Sequence, residues 1–383
     1  MKTVCEENQC CGCMGCISVC SKSAIQIQDN LKAYNAVIDL EKCIDCGACT
    51  RVCIQQNTIL ALEPLRWYQG WCEDEKIRVN GSSGGVASAI SRSFLEAGGV
   101  VCSCLFLDGE FKFSFAEKEN DLKLFVGSKY VKSNPTDIYQ KIRLRLINNQ
   151  KVLFIGLPCQ VAALKRVISE KLQENLYLID LICHGTPSPQ LLEIFVKQYG
   201  YSLKRMTNIC FRVKGKCQVL DGYQGMVTNG VTDKYMISFL KSLSYTDNCY
   251  SCQFATTKRV SDITIGDSWG SSVSMEQQKK GVSLMLVQTQ KGLSVLNKAA
   301  IHLESVDIEN AILHNHQLYE PSEKPQNRNK FFEKLEQGHT FNSLVYKCFP
   351  KECLKQDFKR VLIKMGIRKT GILNYGVMIK GGE

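Results

Sequence analysis

This 383-residue sequence is poor in proline and in histidine, with eight of the first and five of the second. So little proline, with 44% hydrophobic and 22% charged residues, excludes a disordered chain and leaves apolar material for a sizeable core. No apolar run approaches a membrane span, so the chain is expected to be soluble or peripheral. Nothing at the N-terminus resembles a signal peptide. A Walker A loop is missing, and G-x-G-x-x-G does not occur at a strand–helix junction, which argues against a nucleoside triphosphate site or a standard Rossmann site. No DNA-binding helix pair is evident, so no nucleic-acid partner is expected.

Cysteine, by contrast, is abundant. Twenty-one of them without a secretory signal imply a reducing, cytoplasmic setting and metal-bound thiols. Cys10, Cys13, Cys16 and Cys20 follow C-x2-C-x2-C-x3-C, and Cys43, Cys46, Cys49 and Cys53 repeat it 33 residues later. Two such runs are the bacterial ferredoxin pattern of two 4Fe–4S clusters, in which the fourth cysteine of each run serves the other cluster. Cys10, Cys13, Cys16 and Cys53 are then one ligand set, and Cys43, Cys46, Cys49 and Cys20 the other. Three thiolates on one tight loop reach three corners of a cube, and the fourth must come from elsewhere. Gly12, Gly15 and Gly47 are expected to permit the turns. A zinc site wants two pairs of ligands, not two quartets.

The formal charge is +11, but residues 351–383 hold eight Lys/Arg against three Asp/Glu, so +5 of it lies in the tail. There Leu354, Phe358, Val361, Leu362 and Met365 share one helical face opposite lysines. Such a helix suits packing on the body, and peripheral contact with a membrane or an acidic partner is the alternative.

Between these ends the pattern is mixed. Pro64–Glu75 reads as a linker. Ser82-Ser83-Gly84-Gly85 precedes a capped amphipathic helix, followed by a strand at Val100–Leu107 and an alternating one at Phe111, Phe113 and Phe115. A helix from Asp137, a strand at Val152–Ile155, a helix opened by Pro158-Cys159, a strand at Leu176–Ile182 and a helix after Ser188-Pro189 imply a parallel sheet. Further strands are expected at Asp262–Asp267, Ser283–Thr289 and Leu303–Ile308. Cys159 and Cys183 then lie beyond the carboxyl ends of consecutive strands, the edge where open α/β sheets place ligands.

Cys249-x2-Cys252, taken alone, fits zinc, a redox dithiol or a cluster. Cys5, Cys11 and the other scattered cysteines have no ligand-like company and read as core or surface thiols. The Ser-Ser-Gly-Gly loop fits a phosphate cradle as well as an N-cap. His184 is the histidine in a motif-like setting, either structural or suited to proton transfer.

Six ordered motifs carry a resemblance. RVNGSSGGVASAI (78–90), GSKYVKS (127–133), VLFIGLPCQVAALKR (152–166), LIDLICHGTPSP (178–189), NCYSCQF (248–254) and RVSDITIGDSWG (259–270) together resemble the beta-subunit family of coenzyme F-420 hydrogenases and dehydrogenases. The resemblance implies a non-Rossmann FAD site and a third 4Fe–4S cluster. Its ligands would be Cys159, Cys183, Cys249 and Cys252. Ser82, Ser83, Gly84, Gly85, Lys129, Tyr130 and Ser133 would approach the FAD, and Lys129 or His184 would orient substrate or supply a proton. The deazaflavin substrate itself does not carry over.

The expected fold class is therefore α+β. A dicluster ferredoxin domain spans 1–62 and a linker 63–77. An α/β flavin-binding domain with a partly parallel sheet covers 78–325, and a basic, mostly helical segment covers 326–383. The expected function is an iron–sulfur flavoprotein oxidoreductase, exchanging electrons between a partner such as ferredoxin and a small-molecule substrate. A non-catalytic electron-transfer subunit docking on another enzyme is the alternative.

Overall fold

The 33-residue repeat of the sequence is also a repeat of the backbone. In the computed structural model, which describes residues 2–213, 216–221 and 224–367, helices α1 (Gly15–Val19) and α2 (Ala48–Val52) occupy equivalent places. Each starts after a left-handed residue, Met14 at φ 59° and Gly47 at φ 68°. Each is closed by the fourth cysteine of its run, whose N–H donates back to Ile17 O or Thr50 O. A second left-handed pair, Gly12 (φ 67°) and Asp45 (φ 52°), turns the loop between the first two cysteines of each run. Gly15, expected at a turn, is instead the first residue of α1 and faces Ala163 at contact distance. Strands β1 (Ile25–Asp29) and β2 (Tyr34–Ile38) pair antiparallel between the two helices.

The body is organised on a mixed sheet. Strands β3 (Arg66–Cys72), β4 (Val100–Leu107), β5 (Glu110–Ala116), β6 (Val152–Gly156) and β7 (Leu176–Leu181) enter it first. Strands β8 (Ile209–Val213), β9 (Lys216–Asp221) and β10 (Gln224–Gly225) form a separate antiparallel sheet. Strands β11 (Ile263–Asp267), β12 (Ser283–Val287) and β13 (Ile301–Glu304) complete the large sheet, in the order β13-β3-β12-β11-β7-β6-β4-β5. Its central block, β4, β6, β7 and β11, is parallel, and the flanking strands are antiparallel.

Burial follows from this arrangement. The runs VLFIG of β6 and SLMLV of β12 are buried along their whole length, as strands covered on both faces must be. On one face α5 (Ile138–Ile147) and α6 (Pro158–Val167) close over Cys102, Phe113 and Phe154. On the other, α4 (Val86–Glu96) and the helix Gln290–Lys298 close over Val101, Leu153, Ile155 and Ile179. A third core gathers Phe195, Tyr235, Phe331 and Phe341 from helices, including Arg328–Glu336 and Phe341–Cys348 of the C-terminal segment.

Several sequence expectations change here. Residues 66–72, read as linker, form β3, an inner strand between β12 and β13, on which Trp67, Tyr68 and Trp71 are half-buried and Gln69, Gly70 and Cys72 buried. The strand expected to reach Ile308 stops at Glu304, because Asp307 caps a helix at Ile308–His314. The last helix, Pro350–Lys364, buries Cys353 but leaves Leu354, Phe358, Val361 and the following Met365 exposed. The apolar stripe expected to pack on the body thus mostly faces outward. The remainder of the tail, 368–383, lies outside the described residues. Among the described residues no helix is long and apolar enough to cross a membrane.

The N-terminal unit is fastened to the body by hydrogen bonds. Tyr139 Oη donates to Cys13 O at 2.9 Å, Lys132 Nζ to Cys11 O at 2.9 Å, and Gln140 Nε2 to Ser18 O at 2.7 Å. Gln253 Nε2 donates to Ile54 O at 2.8 Å, and Arg328 Nη2 to Lys32 O at 2.8 Å.

Candidate redox centre

The two N-terminal ligand sets meet different surroundings. Cys10, Cys13, Cys16 and Cys53 are 7–8% exposed. Cys20, Cys43 and Cys49 are half-buried, and Cys46 is exposed. The division cuts across the two sequence runs: the fourth cysteine of each shares the burial of the other run. Backbone N–H groups already point at sulfur, Ala24 N to Cys20 Sγ at 3.3 Å and Asp45 N to Cys43 Sγ at 3.4 Å. Cys5, which had no expected company, lies against Cys10 and Cys53, and its hydrogen bond holds the Cys53 thiol down at about 7.

Four more cysteines converge from separate elements. Cys159 is carried by the first turn of α6, Cys183 by the loop after β7, and Cys249 and Cys252 by the turn before β11. They line a common pocket of about 40 Å³, more than one water requires. Burial pushes the Cys183 thiol up to about 12 and Cys252 up to about 11. The sequence missed a fifth thiol there. Cys11 lines the same pocket, and hydrogen bonds from Cys13 and Cys159 hold its thiol well below the ordinary range. It joins the buried N-terminal set to the pocket.

Two cations also missed by the sequence reading line this pocket, Lys132 and Arg259, 4% and 1% exposed. Arg259 Nε and Nη2 have no hydrogen-bond partner. Burial works to lower Lys132, and the neighbouring Cys249, Cys159, Cys11 and Cys10 more than offset it. Arg259 also acts on the fully buried Asp180 carboxylate, whose oxygens lack partners too, while Lys132 faces the thiols, where an anionic group such as a thiolate-ligated cluster suits it. Among the described residues no three His, Cys, Asp or Glu side chains converge tightly enough for one metal ion. The thiols line a common space rather than meeting at a point.

A larger cavity, about 270 Å³, opens at the carboxyl edge of the parallel block. Gly156-Leu157 at the end of β6, Ile182 and His184 after β7, and Gly266-Asp267 at the end of β11 line it there. Ser82, Ser83, Gly85, Lys129, Tyr130 and Ser133, the residues the resemblance would bring to FAD, line it. Gly84 is turned to the sheet, where a Cβ would come within 2.6 Å of Gly70 O. Gly85, at φ 80°, precedes α4, and no side chain caps that helix. The first-turn N–H groups are thereby left to an acceptor such as phosphate. Lys129 Nζ donates to Phe125 O at 2.7 Å and Val126 O at 3.2 Å, and burial lowers its pKa. Desolvation by the cavity wall likewise holds His184 below its ordinary value, although the residue is open to solvent.

At the His184 end the cavity carries an ion pair the sequence reading did not single out. Arg212 donates to Asp267 through Nη1 at 2.6 Å and Nη2 at 3.3 Å, 5.6 Å from the Trp269 ring. Leu157 and His184 line both the cavity and the cysteine pocket, so the two sites share a wall.

Residues 149–311 match the family described as the C terminus of the coenzyme F420 hydrogenase/dehydrogenase beta subunit. This segment, less than half of the chain, is similar to that family. Its matched span holds Cys159, Cys183, Cys249 and Cys252, as well as His184, whereas the Ser82–Gly85 loop and the N-terminal repeat lie outside it. No curated protein matches the chain. A chain of the F420-reducing NiFe hydrogenase complex of Methanosarcina barkeri is similar at 17% identity with a TM-score of 0.47, covering 67% of this chain and 91% of that one.

Proposed function

We propose that this chain is an iron–sulfur flavoprotein oxidoreductase, passing electrons between a one-electron carrier such as ferredoxin and an organic substrate. One observation carries the reading: four sites are contiguous. The half-exposed Cys43 set abuts the buried Cys10 set, Cys11 touches both Cys13 and Cys159, and Leu157 and His184 separate the cysteine pocket from the cavity. The family match of residues 149–311 supports redox work for this part of the chain.

The crossed burial of Cys20 and Cys53 supports the crossed ligand sets expected for two N-terminal clusters. Cys159, Cys183, Cys249 and Cys252 would hold a third, with Lys132 and Arg259 balancing its charge. The cavity would hold FAD, its phosphates at the start of α4. When bound, the clusters carry electrons singly and the flavin exchanges two with substrate. The protein's own part is placement. The burial of the Cys10 set excludes water from the middle of the route. His184, whose pKa the surrounding wall lowers while the residue stays open to solvent, would be the group there to exchange a proton.

A second reading has one observation behind it. At about 270 Å³ the cavity is at the low end for a cofactor site, with little room for a substrate beside the flavin. A non-catalytic electron-transfer subunit needs no such room.

Stopped-flow reduction from each side separates these readings. Cys252→Ser should remove roughly four irons, retain flavin, and slow flavin reduction by a one-electron donor by orders of magnitude. Reduction of flavin by an organic donor should survive in the same variant. Equal one-electron rates in variant and wild type would take these cysteines off the route. Failure of every organic donor to reduce bound flavin in the wild type would favour the non-catalytic reading.

A further inference from the structure

Lys132 belongs to the body, yet its side chain ends inside the N-terminal unit. Its backbone N–H donates to Pro187 O at 2.8 Å, tying its loop to the segment that carries Cys183. Its Nζ donates to Cys11 O at 2.9 Å and lies 5.1 Å from the centre of the Tyr34 ring. The stem passes over Gly12, where a Cβ would come within 2.9 Å of Lys132 Cδ and 2.8 Å of Tyr34 Cδ2. Gly12 thus serves the turn and also leaves the passage through which the lysine enters.

The ammonium is poorly matched by the groups that touch it. A carbonyl and a ring face are weak partners for a buried cation. The carboxylate that reaches toward it, Asp29, is engaged by Ser188 Oγ at 2.5 Å and Leu31 N at 2.9 Å. On two sides, however, the cation faces thiols: Cys10 and Cys11 of the N-terminal unit, and Cys159 and Cys249 of the pocket it lines. A charge held between two such groups acts on both.

We propose that Lys132 is a positioning residue whose ammonium is the counter-charge shared by the buried Cys10 set and the Cys159 pocket, raising the reduction potential of the clusters at both. The inference rests on the reading that clusters occupy these two sites. A reduced cluster carries one more negative charge than the oxidised one, so a fixed cation nearby favours the reduced form. The Cys43 set is the more exposed one, where solvent and salt screen a distant charge, and it serves as an internal control.

The test is a redox titration followed by electron paramagnetic resonance, on the full chain reconstituted anaerobically. Lys132→Gln removes the charge but keeps a donor for Cys11 O. It should leave the iron content unchanged and lower the midpoints of the two flanked clusters. The expected change is about tenfold or more in the reduced-to-oxidised ratio at fixed potential, or 59 mV for one electron. The exposed cluster should not move, and Lys132→Arg should restore the wild-type midpoints. Unchanged midpoints in Lys132→Gln, an equal shift in all three clusters, or failure of Lys132→Arg to restore would overturn the proposal. Loss of iron from Lys132→Gln would make the residue a structural pin and overturn it too. A wild-type chain with no iron in the Cys159 pocket would remove the underlying reading and the sharing with it, and that result appears before any variant is made.

Discussion

Cys13 and Cys46 hold the same place in the two copies of one 33-residue repeat, and they live in opposite surroundings. The Cys13 thiol is buried, with its carbonyl accepting from Tyr139 Oη at 2.9 Å, while Cys46 is exposed to solvent. Local backbone is not the cause, since the left-handed turns and helix ends recur copy by copy. The body makes the difference. It covers the first copy through α6, Lys132, Tyr139 and Gln140 and leaves the second facing outward. Identical spacing therefore specifies two similar cysteine loops, and packing decides which of them is covered by the body and which stays open to solvent.

The largest expected break in this comparison is Cys13→Ser against Cys46→Ser. Each should cost roughly four irons. Cys13→Ser should also lower the melting temperature further, by about 5 °C, because metal binding at a buried site is folding free energy and an empty buried site disturbs the junction. Iron analysis with thermal unfolding reads both quantities. Equal melting temperatures for the two variants would mean that burial of the first copy stabilises nothing.

Next comes Ser88→Asp, which sharpens the contrast between the cysteine route and the cavity. Ser88 lines the cavity in the first turn of α4, where an acidic residue suits the helix but repels phosphate. FAD affinity should fall about tenfold or more, with iron unchanged. It is a cleaner probe than a substitution at Gly85, whose φ of 80° and 3.0 Å approach to Arg78 Cα would strain any side chain. Undiminished FAD affinity by titration would move the phosphates elsewhere.

Tyr139→Phe should act more gently. It deletes the donor to Cys13 O and should cost about 1–3 kcal/mol by chemical denaturation, with no counterpart expected in the exposed copy. A stability change within error would show that this bond does not hold the unit to the body.

The smallest effect on iron is expected from Cys11→Ser. Cys11 is a fifth thiol around a pocket that needs four, so the chain should keep its irons while the contact between Cys13 and Cys159 is altered. Loss of four irons would make Cys11 a ligand in place of one of the others.

Much of the scaffold was legible because its signals are local. The run Val100–Leu107 between Gly99 and Asp108, the pair Ser188-Pro189 before a helix, and cysteines just after β6 and β7 needed no tertiary knowledge. Strand β3 was hidden by its aromatic, half-buried pattern beside Pro64, and by lying between strands that come more than 200 residues later. Cys11, Lys132 and Arg259 were illegible for a different reason. Their neighbours are brought together only when the N-terminal unit docks on the loop around residue 132, and neither spacing nor periodicity records docking. The cap of α4 was misread in a smaller way, since left-handed Gly85 begins it without help from the serines.

The central claim is that three thiolate sets and one cavity form a single redox route. It is tested most directly by iron, zinc and flavin analysis of the anaerobically purified full chain. About 12 irons and one FAD per chain, without stoichiometric zinc, is the predicted result. About 8 irons with one zinc per chain would contradict it, because the Cys159 pocket would then hold a redox-inert ion in the middle of the route.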